Sequence, residues 1–519
     1  VHRFMLLPLF IFYQSHFAIP CDGHMSAAPA LQPQQSSPEK RWVPSTILTE
    51  LKLQRGLAFP LILTNLAWFA KIAITTAFLG RRGELELAGA TLGFTFANVT
   101  GFSLLNGICS AMEPICGQAF GAKNFRLLHK TLPMTILLLL LAAVPVGVSW
   151  LYVDKILLLF GQQPNISAIA RSYLFYLLPD LLVSSFLCPL KTYLSSQGVT
   201  VPIMLSSVLA VAIHVPVTVL LSRRWGLSGV AMGVWVTDLA VGILLCAYVA
   251  SVERRRRVDG GWWELGGGDW AALLRLCGPC CLATCLEWWC YEILVLLAGR
   301  LPDAARAVGA LAIALNFDYL LYAVMLSLAT SASTRVSNEL GAACPASARR
   351  SALISVGAAA AAGAAGGAAT AAAGGAWGRV FSRDVGTVRS VRRAMAVMGA
   401  VEVVNFPLAV CGGVVRGTAR PLPALCATLG GFYAVALPVG AALGFEAGMG
   451  VAGLLVGLLC GAAVCLLLVA AMVGRIDWAE EAGKAQVRVG GDVAGTGAGA
   501  EKRGGQAGHA SPTSLRPVS

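Results

Sequence analysis

Charge is what this chain has least of. Asp, Glu, Lys and Arg make up 13% of its 519 residues, about half the roughly 25% of a soluble domain. Most of its surface must therefore face something other than water. Acids are the scarcer sign, 26 against 39 Lys and Arg, for a net charge of +13. Histidine numbers six, and only His214 falls inside a candidate membrane span. An integral membrane enzyme would need clustered His or acidic metal ligands, and the sequence offers none. Cys277, Cys280 and Cys281 have a C-x-x-C spacing, but no second pair or nearby His completes a zinc site, so no metal is expected. The fifteen cysteines lack the setting of a small secreted disulfide scaffold. Cys188, Cys246, Cys411, Cys460 and Cys465 lie within apolar runs and read as small packing residues. The basic surplus sits mostly in short connections between apolar runs, where juxtamembrane cations belong, so no nucleic-acid partner is expected.

What is present is apolar. Hydrophobic residues make up 57% of the chain, and the mean hydropathy is +0.72. A spanning helix needs about 20 mostly apolar residues. Twelve such stretches follow one another, at 56–79, 87–115, 132–153, 168–190, 201–221, 227–250, 271–298, 307–333, 352–376, 394–415, 422–444 and 449–473. The expected fold is an all-α polytopic membrane protein of about twelve spans in a lipid bilayer. The ninth stretch is almost all Ala and Gly, so it depends on close-packed neighbours to stay inserted.

The stretches group into domains. Residues 1–24 read either as a gene-model extension ahead of Met25 or as a signal-like run or short anchor. Residues 25–55 are Pro/Gln/Ser-rich and read as a disordered cytosolic tail. A six-helix lobe at 56–250 is followed by a basic cytosolic linker, 251–270, with Arg254 to Arg257 and the Trp262–Trp263 pair. A second six-helix lobe covers 271–474, and 475–519 read as a disordered C-terminal tail. Lys and Arg in the loops tie between the two sides. Lys52, Arg55 and Arg475 tip the reading towards both termini in the cytosol, while Arg379, Arg383, Arg389, Arg392 and Arg393 oppose it. Plasma membrane, vacuolar and other endomembrane locations all stay open.

The chain can be laid on itself at an offset of 220 residues without gaps. Gly89-Ala90 falls on Gly309-Ala310, and the segment 118–122 on 338–342. Spans two and eight are therefore equivalents, and six spans per half make this a parallel repeat. Such repeats place the substrate site between the halves and permit alternating access.

Five motifs then carry a family resemblance: FLGRRGELELAGA at 78–90, MEPICGQAFGAK at 112–123, CLEWWCYE at 285–292, STRVSNELGA at 333–342 and VVRGTARP at 414–421. In order and length they resemble the multidrug and toxic compound extrusion (MATE) transporters, in particular the plant DETOXIFICATION group, over about residues 50–480. The resemblance implies two six-helix bundles in a V around a central cavity. It also implies export of small organic molecules in exchange for cations, in plants usually protons, by a monomer without cofactor. A lipid-intermediate flippase of related fold is the alternative within the transporter class, and a channel would lack proton–substrate exchange. The connection between spans two and three is short, which argues weakly against citrate.

Intramembrane acids are functional candidates because an ionised side chain there costs at least about 2.5–3.5 kcal/mol. They are Asp180, Asp238, Glu287, Glu292, Asp318 and Glu402. Five residues of helix separate the directions of Glu287 and Glu292 by about 140°, so both reach one spot only if the helix bends, as Gly278-Pro279 would permit. The resemblance implies that carboxylates matching Glu287, Glu292 and, on span ten, Glu402 couple proton and substrate. Trp288 and Trp289 offer flat walls beside them. Asn316 is favoured over Asp318 for the cavity. Asp180, after Pro179, reads chiefly as a cap of a broken helix. Some bacterial relatives carry an Asp where this chain has Thr75, so coupling is expected in the second half. Lys71 is an intramembrane cation that snorkels, pairs with an acid or attracts an anionic substrate. Glu113 and Gln118, with Arg335 and Glu339 on the repeat partner, read as closing contacts between halves. Arg416 and Arg420 read as anchors of span ten.

Overall fold

The computed structural model describes residues 44–256, 262 and 266–490. The expectations for 1–24, for 25–43, for Arg257 and Trp263, and for 491–519 lie outside these residues. The chain divides into two units, 1–52 and 53–519. Of the first, residues 44–52 are described, and they are helical.

The helices are α1 (Pro44–Gly80), α2 (Glu84–Gly121), α3 (Phe125–Leu151), a short α4 (Val153–Leu159), α5 (Pro164–Ser196) and α6 (Val201–Arg256). They continue as α7 (Gly267–Ala298), α8 (Ala304–Gly341), α9 (Pro345–Phe381), α10 (Val385–Gly417), α11 (Pro421–Glu446) and α12 (Val451–Gly474). A last helix, α13, occupies 478–490, and no strand occurs among the described residues.

At 56 residues α6 would be about 84 Å long if straight, far beyond a bilayer core of about 30 Å. Gly226 breaks it with φ 60° and ψ −131°. Beyond that point the chain doubles back: a Cβ on Gly229 would fall 2.1 Å from the Leu221 carbonyl oxygen. The two arms are the fifth and sixth spans, which makes twelve among the described residues.

The repeat is visible in the backbone. α2 and α8 each hold 38 residues and end 220 positions apart, at Gly121 and Gly341. Each is followed by a residue in the left-handed region, Lys123 (φ 58°) and Ala343 (φ 57°). In each the next amide turns back on the helix, Asn124 N to Ala119 O (2.9 Å) and Cys344 N to Glu339 O (2.9 Å). Glycine usually takes the left-handed position; here paired turns close two helix ends without it. The equivalence is not complete. α2 contains a π-turn at Asn98–Phe102, while α8 is α-helical throughout. Gly101 in that turn admits Trp150, whose Nε1 donates to Thr100 Oγ1 (3.0 Å).

α9 lies against α10 along a row of glycines four or seven residues apart. A Cβ on Gly367 would fall 2.3 Å from the Gly399 carbonyl oxygen, and one on Gly363 2.9 Å from that of Glu402. Small residues on one face let two backbones meet where leucines would hold them apart.

Three boundaries differ from the sequence reading. Helix α1 begins at Pro44, inside the segment read as a disordered tail. The N-terminal half of α7 belongs to the packing of the first lobe: Leu273, Cys277, Cys281 and Cys285 join a core with Trp150, Tyr173 and Leu177. A Cβ on Gly107 of α2 would fall 2.8 Å from the Cys281 Cα, so cysteine is small enough where leucine is not. The fourteen cysteines among the described residues are free thiols. Third, α13 stands where a disordered tail was expected. Its Glu481, Ala482, Ala485 and Val489 are buried at helical spacing, a face too short to register as a membrane span.

Candidate functional site

A cavity of about 500 Å³ lies between the lobes, with walls from α1, α2, α5, α6, α7, α8, α10, α11 and α12. On the first lobe its polar groups include Lys71, Thr75, Asp180, Lys191 and Asp238. Lys71 Nζ donates to Asp238 Oδ2. Asp180 is buried within hydrogen-bonding reach of Asp238. Thr75 donates to the Lys71 carbonyl (2.9 Å) and meets His214 Nε2 at 3.0 Å, while Thr237 meets the other ring nitrogen at 3.3 Å. A hydroxyl thus stands where some bacterial relatives carry an Asp, and the acids near it, Asp180 and Asp238, come from α5 and α6.

On the second lobe Glu287, Trp288, Tyr319, Tyr322 and Arg416 face the cavity. Glu292 is absent from its lining, as are Trp289, Asn316, Asp318 and Glu402. Neighbouring helical residues diverge by about 100°. Trp289 accordingly turns from Trp288 and donates to the Val99 carbonyl (3.1 Å). Asn316 is exposed and donates to its own helix, at Ala312 O (3.0 Å). Neither member of the Asn316 and Asp318 pair lines the cavity, and Asp318 is buried and hydrogen-bonds Glu402. That pair lies behind the cavity wall. Tyr291 stands among Glu287, Asp318 and Glu402, and its hydroxyl accepts from Asn405 Nδ2 (3.0 Å).

One end of the cavity is shut. Arg416 Nε lies 3.6 Å from Glu113 Oε2, and Gln118 Nε2 donates to the Gly417 carbonyl (3.0 Å). Below them the equivalent ends of α2 and α8 cross in contact. A Cβ on Gly121 would fall 2.0 Å from the Asn338 carbonyl oxygen, and one on Gly341 2.1 Å from that of Gln118. Arg335 and Glu339 pair at 2.7 Å within α8. Arg416, read as a surface anchor, thus forms part of the cavity floor. Outside this seam lies α13. Its Arg488 donates to Gln118 Oε1 (2.6 Å), its Gln486 to the Gly341 carbonyl (2.7 Å), and its Val489 carbonyl accepts from Asn124 Nδ2 (2.9 Å). Glu481, almost fully buried, ties the helix to Arg420, between α10 and α11, at 3.5 Å and pairs within the helix with Lys484 at 3.0 Å. The Glu480 and Glu481 carboxylates beside Lys484 push its ammonium above the usual lysine range.

Sequence reasoning had no place for Lys191, Tyr291, Asn405 or α13. A signal existed for Lys191, a cation well inside the fourth span. None existed for Tyr291 and Asn405, which look like ordinary span residues.

The MatE family model matches residues 60–220 and 279–442, one block in each lobe. The chain belongs to the MATE family of transporters. It is 54% identical to Protein DETOXIFICATION 56 of Arabidopsis thaliana over 446 residues, covering 85% of this chain and 91% of that one. Protein DETOXIFICATION 51 of the same plant is 41% identical over 445 residues, 85% of this chain and 83% of the other. The crystal structure of the eukaryotic MATE transporter AtDTX14 superposes with a TM-score of 0.80 at 29% identity, over 85% of this chain and 99% of that one. The Vibrio cholerae MATE transporter VcmN in its bent form shares the fold at 17% identity, with a TM-score of 0.71 over 86% of this chain and 99% of that one. As a MATE transporter, this is an integral multi-pass membrane protein that carries small molecules across its bilayer.

Proposed function

We propose that the protein is a proton-coupled antiporter that exports or sequesters small organic compounds by alternating access. The observation that carries this reading is the contact between Asp318 and Glu402, buried beside Tyr291 behind the Glu287 wall of the cavity. A hydrogen bond between two carboxyl groups requires one proton, and two charges so close in a low dielectric repel strongly. Such a pair holds a proton in one conformation and yields it when the surroundings change. Glu287 is the acid placed to meet both substrate and proton, with Trp288 and Tyr322 as apolar walls. Glu292, outside the lining, has a weaker claim.

Gln54, ahead of the first span, donates to the Ser351 carbonyl (3.3 Å) near the start of α9. The entry to the first span therefore lies on the same side of the bilayer as the C-terminal ends of α2 and α8. With both termini cytosolic, the closed seam is cytosolic and the cavity faces the outer or luminal space. The DETOXIFICATION names of the relatives agree with export of harmful compounds. The test is solute exchange in proteoliposomes under a pH gradient. Wild type accumulates substrate against the gradient, and Glu287→Gln with Glu402→Gln does not. Normal proton–substrate exchange by that double variant refutes the reading.

A further inference from the structure

The two lysines of the cavity differ in their surroundings. Lys71 is held by Asp238. Lys191 lines the same cavity but has no hydrogen bond or ion pair among the described residues. It projects from α5 roughly three turns beyond Asp180, towards the shut end, where Thr334 Oγ1 donates to the nearby Ser195 carbonyl (3.4 Å). Asp238 and Asp180 lie within electrostatic reach of this ammonium, but Asp238 is already engaged by Lys71 and shares a hydrogen bond with Asp180. Two ammoniums thus face two carboxyls that hold a proton between them, and the cluster keeps a positive charge that an anion balances. Across the cavity stand aromatic rings, among them Trp288, Tyr319 and Tyr322. Phe69, also in the lining, meets Tyr319 with ring centroids 6.1 Å apart.

Resting on the transport reading above, and narrowing it to a substrate class, we infer that Lys191 takes the carboxylate of an aromatic organic acid whose ring lies against Trp288 and Tyr322. The Lys71–Asp238 pair keeps the second ammonium occupied and so leaves one anion position rather than two. Glu287, on the opposite lobe, has no hydrogen bond or ion pair of its own among the described residues. It disfavours a second carboxylate and tolerates a donor such as a hydroxyl or amine at the far end of the molecule. The site therefore fits monocarboxylates and zwitterions better than polycarboxylates.

The probes are 2-naphthoate and its neutral isostere 2-naphthamide, titrated calorimetrically into the full-length protein in detergent. Wild type binds the acid about tenfold or more tighter than the amide, the scale of one charged hydrogen bond in a desolvated site. Lys191→Gln reduces naphthoate to the amide's affinity and leaves the amide unchanged, while Lys191→Arg keeps the preference. A wild type without preference, or an unchanged preference in Lys191→Gln, overturns the inference. Should Lys191→Gln not fold, an amine-reactive ester on wild type gives the answer: naphthoate protects Lys191 from modification and naphthamide does not, and equal labelling in both overturns the site. The outcomes separate from those of the antiport reading. Naphthoate binding at Lys191 without pH-driven exchange leaves the site and removes the proton coupling. Exchange of other solutes driven by pH, unaffected in Lys191→Gln and without naphthoate preference, does the reverse.

Discussion

Glu113 of the first lobe and Arg416 of the second face each other 3.6 Å apart at the floor of the cavity. One ion pair thus separates the substrate space from the seam beneath it. Removing one partner leaves a partly buried charge unmatched, at a cost of about 1–3 kcal/mol to the closed state. We expect Glu113→Gln to widen the distance between spin labels on the ends of α2 and α8. Exchanging the charges, Glu113→Arg with Arg416→Glu, recovers part of the closure. No recovery would mean that this pair is not what holds the floor.

The glycines of the seam make a sharper prediction, because an internal control exists. Gly341→Ala places a methyl group 2.1 Å from a backbone oxygen, which nothing flexible can relieve. Closure is lost, and with it one of the two states that transport requires. Gly309→Ala, on the same helix, meets nothing within 4 Å and leaves transport intact. Solute exchange by the two variants in proteoliposomes distinguishes them directly.

Helix α13 clasps the seam from outside, so its removal should act on conformation rather than on binding. Truncation after Gly474, or Arg488→Ala with Gln486→Ala, increases the open population on the α2–α8 side several-fold. Affinity for a substrate presented from the other side stays within about twofold. Spin-label distances report the first and calorimetry the second. Unchanged distances would reduce α13 to a passive appendage.

Asp318 and Glu402 act as one group if they share a proton. Asp318→Asn and Glu402→Gln should then each abolish proton-driven uptake, and the double variant should be no worse than either, a strong departure from additivity. Additive losses would assign the two acids separate tasks.

Much of this arrangement was legible in the sequence. Twelve spans, the repeat offset and the family follow from apolar runs and from motifs long enough to be specific. The acids themselves were legible, since charges in spans are rare. Their directions were not. Glu287 and Glu292, Trp288 and Trp289, and Asn316 and Asp318 are near neighbours in sequence, and helical rotation sends the members of each pair to different faces. Only the packing of α7 against the first lobe settles that Glu287 and Trp288 reach the cavity, and on α8 neither Asn316 nor Asp318 does. Lys71 admitted three readings, and its partner Asp238 lies 167 residues away. The glycine row of α9 was legible as a need for close neighbours, but α10 as that neighbour was not. Gly367→Leu tests the row: its first side-chain atom meets the Gly399 carbonyl at 2.3 Å, and overpacking of this kind costs about 1–3 kcal/mol. The detergent-solubilised protein should melt several degrees lower, whereas Gly357→Leu, with open space around it, should not.

The π-turn in α2 bears on how a duplicated gene diverges. One additional residue in a turn rotates everything before it by about 100° relative to an unbroken helix. Two halves that align residue for residue therefore do not point residue for residue. Gly89 is pressed against Ile169, while its counterpart Gly309 meets nothing within 4 Å. A change of backbone winding, with no insertion or deletion to record it, has given the ancestral copies different inner surfaces upstream of Asn98. Residue roles carried from one half to the other across that point would be assigned to the wrong side of the helix.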